Sequence, residues 1–161
     1  MRGTWPLTLL LVAAPAAARD SLGMFDQWGA FRDPQVPRCY AIARGESSHG
    51  EPAGVAYADV ASWPKRGLRG EVHFHLSRKV VSGTAIELAI GNQRFALFSD
   101  GSNAWLADPR MNAAVVAAMR FNPAMAVLAR DSSGRHFTDS WPLAGAASAM
   151  DSAAIGCAEL R

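Results

Sequence analysis

The chain has 161 residues, half of them hydrophobic, and a formal net charge of +2. That length provides one sizeable core and excludes two ordinary domains, while the hydrophobic fraction excludes a disordered chain. Scattered charges of so small a sum give no electrostatic case for binding nucleic acid or an anionic membrane surface.

Residues 1–18 read as a cleavable secretory signal. Arg2 supplies the positive region, Leu7 to Ala14 the apolar stretch, and Ala16-Ala17-Ala18 a small-residue cleavage site. The apolar stretch is far below the ~18–20 residues that span a bilayer, so no transmembrane anchor is expected. Residues 19–161 are then a single β-rich globular domain, periplasmic or secreted. Export gives the two cysteines, Cys39 and Cys157, their meaning. In an oxidising compartment an even pair points to a structural disulfide, and no Cys-x-x-Cys or catalytic cysteine signature surrounds either residue.

Phe25 to Arg32 reads as a first strand ending at the Asp33-Pro34 turn, although its aromatics do not alternate. Arg38 to Arg44 does alternate, with Cys39, Ala41 and Ala43 on one side and Tyr40 and Ile42 on the other. Gly45 to Gly54, with Glu46, Ser47, Ser48, His49 and Pro52, reads as a solvated, mobile loop. Val55 to Trp63 is a weak strand. Glu71 to Ser77 is a clearer one, with Val72, Phe74 and Leu76 inward and Glu71, His73, His75 and Ser77 outward.

The strongest local signal is a hairpin from Thr84 to Phe98, turning at Gly91-Asn92. If those two residues are the loop, Leu88 faces Phe95 and Ile86 faces Leu97. Glu87, Ala89, Arg94 and Ala96 then share the opposite face. A short strand follows around Trp105. Asp108-Pro109 opens a helix that runs to Phe121, with Met111, Ala114, Val115, Ala118 and Met119 on one apolar face. Ala124 to Arg130 is a further strand, and Asp131-Ser-Ser-Gly134 turns into a short strand through Phe137. In the alanine-rich tail, Leu143, Ala147, Met150 and Ala154 keep a helical period, weakened by Gly145 and Gly156. About eight short strands with one or two short helices predict an α+β, β-rich fold: an antiparallel β-sandwich or partly rolled sheet with the helices packed on it.

His73 and His75, two apart on a strand, share a face with Glu71 and form a candidate metal or catalytic set. An ordinary solvated strand face accounts for the same pattern, and no metal, cofactor or catalytic residue is assigned. Ser47-Ser48-His49 and the segment Asp131 to His136 also gather serine, histidine and acid, but adjacency in sequence is not catalytic geometry. The phosphate loop, the dinucleotide fingerprint, His-Glu-x-x-His and the Gly-x-Ser-x-Gly elbow are all missing. Trp28, Trp63, Trp105 and Trp141 are scattered, which suits packing, although two or three of them can converge in a groove.

An export signal, Phe25-x-x-Trp28, Arg38-Cys39-Tyr40, Trp63-Pro64-Lys65, Leu143-Ala-Gly-Ala-Ala147 and a late cysteine occur together. In these motifs the chain resembles the invasion-associated locus B family of small exported alphaproteobacterial proteins, in particular its divergent members. The resemblance implies an envelope or secreted role, with an envelope or host protein as partner, and no catalytic residues. Members often carry a cysteine soon after the first-strand tryptophan, where this chain has Gly29-Ala30-Phe31-Arg32, so the family's disulfide pattern does not transfer. The expected function is a non-catalytic exported protein that binds through its surface. The alternatives are a small-ligand carrier or inhibitor with a cleft between sheet and helix, and a small hydrolase or metal enzyme built on His73, His75 and Glu71 or on His49.

Overall fold

A computed structural model describes residues 19–48, 54–81, 83–158 and 160. The expected leader and His49 lie outside the described residues.

The first aromatic stretch is a hairpin rather than a single strand from Phe25 to Arg32. Asp20–Phe25 (β1) and Trp28–Asp33 (β2) fold back across Asp26 and Gln27, which places Phe25 opposite Trp28. Asp26 takes φ +51°, a left-handed conformation that aspartate tolerates better than most residues. The turn between them is why these aromatics do not alternate.

Arg38–Arg44 (β3) keeps its expected alternation, with Cys39, Ala41 and Ala43 buried on the inner side. The chain then continues through Gly45 into Glu46–Ser48 (β4), so the described part of the expected loop is strand. Tyr57–Trp63 (β5), a single 3-10 turn at Pro64–Arg66 and Leu68–His75 (β6) follow. The central hairpin is Ile86–Ile90 (β7) and Gln93–Asp100 (β8), with Leu88 opposite Phe95 and Ile86 opposite Leu97, as the alternation requires. Only Gly91 in its turn takes a positive φ, +54°, which suits the turn class that needs glycine at the first central position alone.

Asn103–Trp105 (β9) is followed by Pro109–Met119 (α1), two residues shorter than expected. The Asp108 carboxylate accepts the Arg110 and Met111 N–H groups at 2.8 and 2.9 Å. Ala124–Arg130 (β10), His136–Pro142 (β11) and Ala146–Ala158 (α2) complete the chain. The buried stripe of α2 is Ala146, Ala149, Met150, Ala153, Gly156 and Cys157; of the expected set Leu143 and Met150 are buried, Ala147 is partly exposed and Ala154 is exposed. Alanine on both sides of a helix gives too little contrast to fix its phase.

Every neighbouring strand pair is antiparallel, in the order β1-β2-β3-β5-β6-β9-β8-β7-β10-β11-β4. Two corners roll this row into a sandwich-like body. β8 is one: Phe98 to Asp100 pair with β9, while Gln93 to Leu97 pair with β7. Gly45 is the other, because β3 lies beside β5 in one half and β4 lies beside β11 in the other. A Cβ at Gly45 would come within 2.6 Å of the Trp141 indole, so the corner requires glycine. The two halves share one core, in which the Phe74 and Trp141 rings lie 5.4 Å apart and the Trp28 indole N–H donates to the Pro142 carbonyl at 2.9 Å. α1 covers β6 and β7, and α2 covers β1, β2, β3 and β5. The Cys39–Cys157 disulfide fastens α2 to β3, with the Cα atoms 5.6 Å apart. Ser77 is buried instead of facing outward, because its N–H and hydroxyl both donate to the fully buried Asp139 carboxylate, at 2.8 and 2.7 Å.

Candidate functional site

Register decides what gathers on the outer face of β3, β5, β6 and β9. Ile42 lies opposite Asp59, Asp59 opposite His73, and His73 opposite Trp105. One step along the strands, Tyr40 faces Ala61 and Ala61 faces Glu71; one step the other way, Tyr57 faces His75 and His75 faces Asn103. Directly opposed residues share a face, so these side chains form one surface, turned away from the core that Val60, Val72, Phe74 and Ala104 enter from the same strands. Its central part is an open groove of about 470 Å³, walled by Arg38, Tyr40, Tyr57, Trp63, Glu71 and Trp105 and floored partly by Asp59 and His73.

His73 is far from a free solvated side chain. Its Nδ1 is 2.8 Å from an Asp59 oxygen, and its Nε2 is 3.1 Å from Asn103 Oδ1, which also lies 3.1 Å from His75 Nδ1. Both His73 ring nitrogens thus have a hydrogen-bond partner, and Asn103 Oδ1 sits between the two imidazoles. Burial pulls the ring towards its neutral form. The Asp59 hydrogen bond and charge, the Asn103 hydrogen bond and the Glu71 charge outweigh it, so its pKa is raised above the ordinary 6.5. Aromatic rings brace the pair: Tyr57 stacks on His75 with centroids 4.9 Å apart, and Trp105 lies tilted against His73 at 5.4 Å.

The structure therefore places Glu71, His73 and His75 on one face, as the strand period implies, but it joins the histidines to Asp59 and Asn103 rather than to each other. Among the described residues no group of three histidines, cysteines or carboxylates has the geometry to hold a metal ion. Ser47 shares its hydroxyl with Ser77 at 2.9 Å, at the end of the buried Asp139 network, and Ser48 Oγ donates to the Thr138 carbonyl. In the other candidate segment, Asp131 is the hub of a turn. It accepts from the Ser133 hydroxyl at 2.6 Å, from the N–H groups of Ser133 and Arg135, and from the Arg135 and Arg78 guanidiniums. The Ser133 hydroxyl bond leads the set that, against the cost of burial, holds the Asp131 pKa far below the usual carboxylate range. Ser133 is thus a donor to an acid, not a nucleophile activated by His136.

Sequence reasoning misses Tyr57, Asp59, Asn103 and Arg38 as members of this site. Each lies on a different strand from the histidines or at a strand end, and only the pairing register brings them together. The weak signal for it is that Trp63 and Trp105 occupy outward positions on two strands, where the core gives no reason for aromatics; Tyr40, also outward, is buried against Phe31 with ring centroids 5.6 Å apart.

No family model, no curated protein and no solved structure matches this chain.

Proposed function

We propose that this is a non-catalytic exported protein of the periplasm or cell exterior that acts by binding an envelope or host component through the outer face of β3, β5, β6 and β9. The observation that carries the reading is the convergence of Tyr40, Tyr57, Trp63 and Trp105 around charged groups in one open groove. Aromatic side chains left partly exposed beside polar ones, as Tyr57, Trp63 and Trp105 are over the buried Tyr40, are the usual material of a recognition surface. The absence of catalysis is supported by the engagement of His73. Both of its nitrogens are engaged by Asp59 and Asn103 rather than presented to the groove, and no serine, threonine or cysteine lines it.

Export is supported by the leader-like residues 1–18 and by the disulfide. The resemblance to the invasion-associated locus B family agrees with the same reading. The carrier alternative is less favoured. One cleft between sheet and helix, bounded by Pro64, Leu68, Ala154 and Cys157, measures about 210 Å³, below the roughly 300 Å³ at which small-molecule pockets begin. Another, about 600 Å³ beside Leu22, Phe25, Ser152 and Ile155, is a wide surface depression rather than an enclosing cavity.

The test is the tryptophan emission of the purified protein titrated with solubilised fractions of its own envelope. One fraction is expected to shift the emission of the wild type and not of Trp105→Ala, with thermal melts of the two proteins alike. Equal shifts in both, or turnover of a component of that fraction, would overturn the reading.

A further inference from the structure

We infer, resting on that binding reading, that the groove accepts a carboxylated sugar, its carboxylate held by Arg38 and its ring laid on the tryptophan-lined wall. Three unmet needs on the groove surface define this ligand. The first is an anion. Arg38 lines the groove and forms no ion pair with any described residue; its Nε–H is buried without an acceptor, so the groove is met by the rest of the guanidinium. The guanidinium lies 4.6 Å from the centre of the Tyr40 ring, which holds the cation in place without neutralising it. Asp33, opposite Arg38 in register, accepts the Val36 N–H and lies 3.8 Å from Arg19 instead.

The second need is for hydrogen-bond donors. Glu71 lines the same groove, and its carboxylate has no donor among the described residues. The third is a flat apolar surface for the partly exposed indoles of Trp63 and Trp105, each of which has one ring partner already, Arg66 at 5.9 Å and His73 at 5.4 Å. A pyranose bearing a carboxylate meets all three. It offers an anion to a planar guanidinium, hydroxyl donors to a carboxylate, and a C–H face to an indole. A peptide fits less well, because its carbonyls need donors and these strands lie inside the sheet, where their backbone groups are already paired. The groove's volume of about 470 Å³ falls within the roughly 300–1,000 Å³ of small-ligand sites.

Arg38 also gives the site a signature that a structural residue lacks. A partly buried cation with an unanswered donor costs the empty protein stability. Arg38→Met is therefore expected to preserve or raise the melting temperature while it removes preference for the acid.

The experiment titrates tryptophan emission with trigalacturonate, with neutral maltotriose, and with inorganic phosphate at matched ionic strength. Trigalacturonate is expected to bind saturably and at least about tenfold tighter than maltotriose, the scale of one charge-assisted hydrogen-bonded pair. Phosphate should leave the emission unchanged. Arg38→Met should bring the acid down to the neutral sugar's affinity, Arg38→Lys should fall between, and Trp105→Ala should weaken both sugars. Equal binding of the two sugars, an unaffected Arg38→Met, or a response to phosphate alone would overturn the assignment. If neither sugar binds while Trp105→Ala still abolishes the envelope-fraction shift, the sugar class is wrong and the binding face stands. If both responses are absent, the binding reading fails with it.

Discussion

At the scale of single residues, the Asp59–His73–Asn103 chain is where environment changes chemistry most. His73 has only 21% of its side chain exposed and Asp59 14%, so the hydrogen bond between them is shielded from solvent. Because the pKa of His73 is raised on folding, protonation favours the folded state. That contribution is complete below the unfolded value of about 6.5 and is lost as pH rises through the higher folded value. Imidazole proton resonances should titrate with a midpoint above about 6.5 for His73, and Asp59→Asn should lower that midpoint. A midpoint at or below the ordinary value in the wild type would mean that burial, not Asp59, governs the ring. Replacing His73 and His75 by glutamine is also more than a surface change, since Asp59 then loses its charged partner. A loss of about 1–2 kcal/mol fits that geometry better than the near-neutrality of a solvated strand face.

At the scale of elements, the β7–β8 hairpin offers the sharpest contrast between two faces of one strand pair. Leu88 is fully buried, whereas Arg94 and Glu87 are half-exposed and 3.2 Å apart. Leu88→Asp should unfold the protein or cost more than about 4 kcal/mol, because it buries an unpaired charge. Arg94→Asp should cost no more than about 1 kcal/mol, since an exposed ion pair is weak even when it is reversed. Similar losses for both variants in denaturant melts would contradict the register. This hairpin was legible in the sequence because Gly91-Asn92 and the alternation of Ile86, Leu88, Phe95 and Leu97 agree. The cap at Asp108 was legible for the same reason, with a capping residue, a proline and an apolar stripe in the right order. β1 and β2 were not separable, because Asp26-Gln27 carries no strong turn signature. β4 was hidden because Glu46, Ser47 and Ser48 read as loop, and become a strand only when β11 offers a partner. The groove was the least legible part. Its residues come from four strands, and no local window contains the register that joins them.

At the scale of the whole molecule, two corners and one covalent bond decide how the sheet holds together. β4 pairs with residues of β11 about ninety positions further on, with Ser48 opposite Thr138, so the roll closes only when distant parts of the chain meet. Such long-range pairing predisposes a fold to slow formation. The disulfide spans 118 residues and in the chain-entropy picture contributes about 4–5 kcal/mol by restricting the unfolded ensemble. Thiol counting on denatured, unreduced protein should find no free sulfhydryl, and reduction should lower stability by roughly that amount; two titratable thiols would contradict the bond. The same bridge has a mechanical consequence. If the chain is pulled between its ends, tension travels from Cys39 to Cys157 through the sulfurs and bypasses nearly all of the rolled sheet. β1 and β2 lie outside that loop, so they alone among the strands should peel away under load in the oxidised protein. After reduction, unfolding should release about 400 Å of additional contour length, the reach of the 118 residues the bond had shielded. The groove-bearing strands from Cys39 onward therefore keep their shape under a pull that strips away the hairpin in front of them, while Arg38, one residue outside the loop, comes under load with that hairpin.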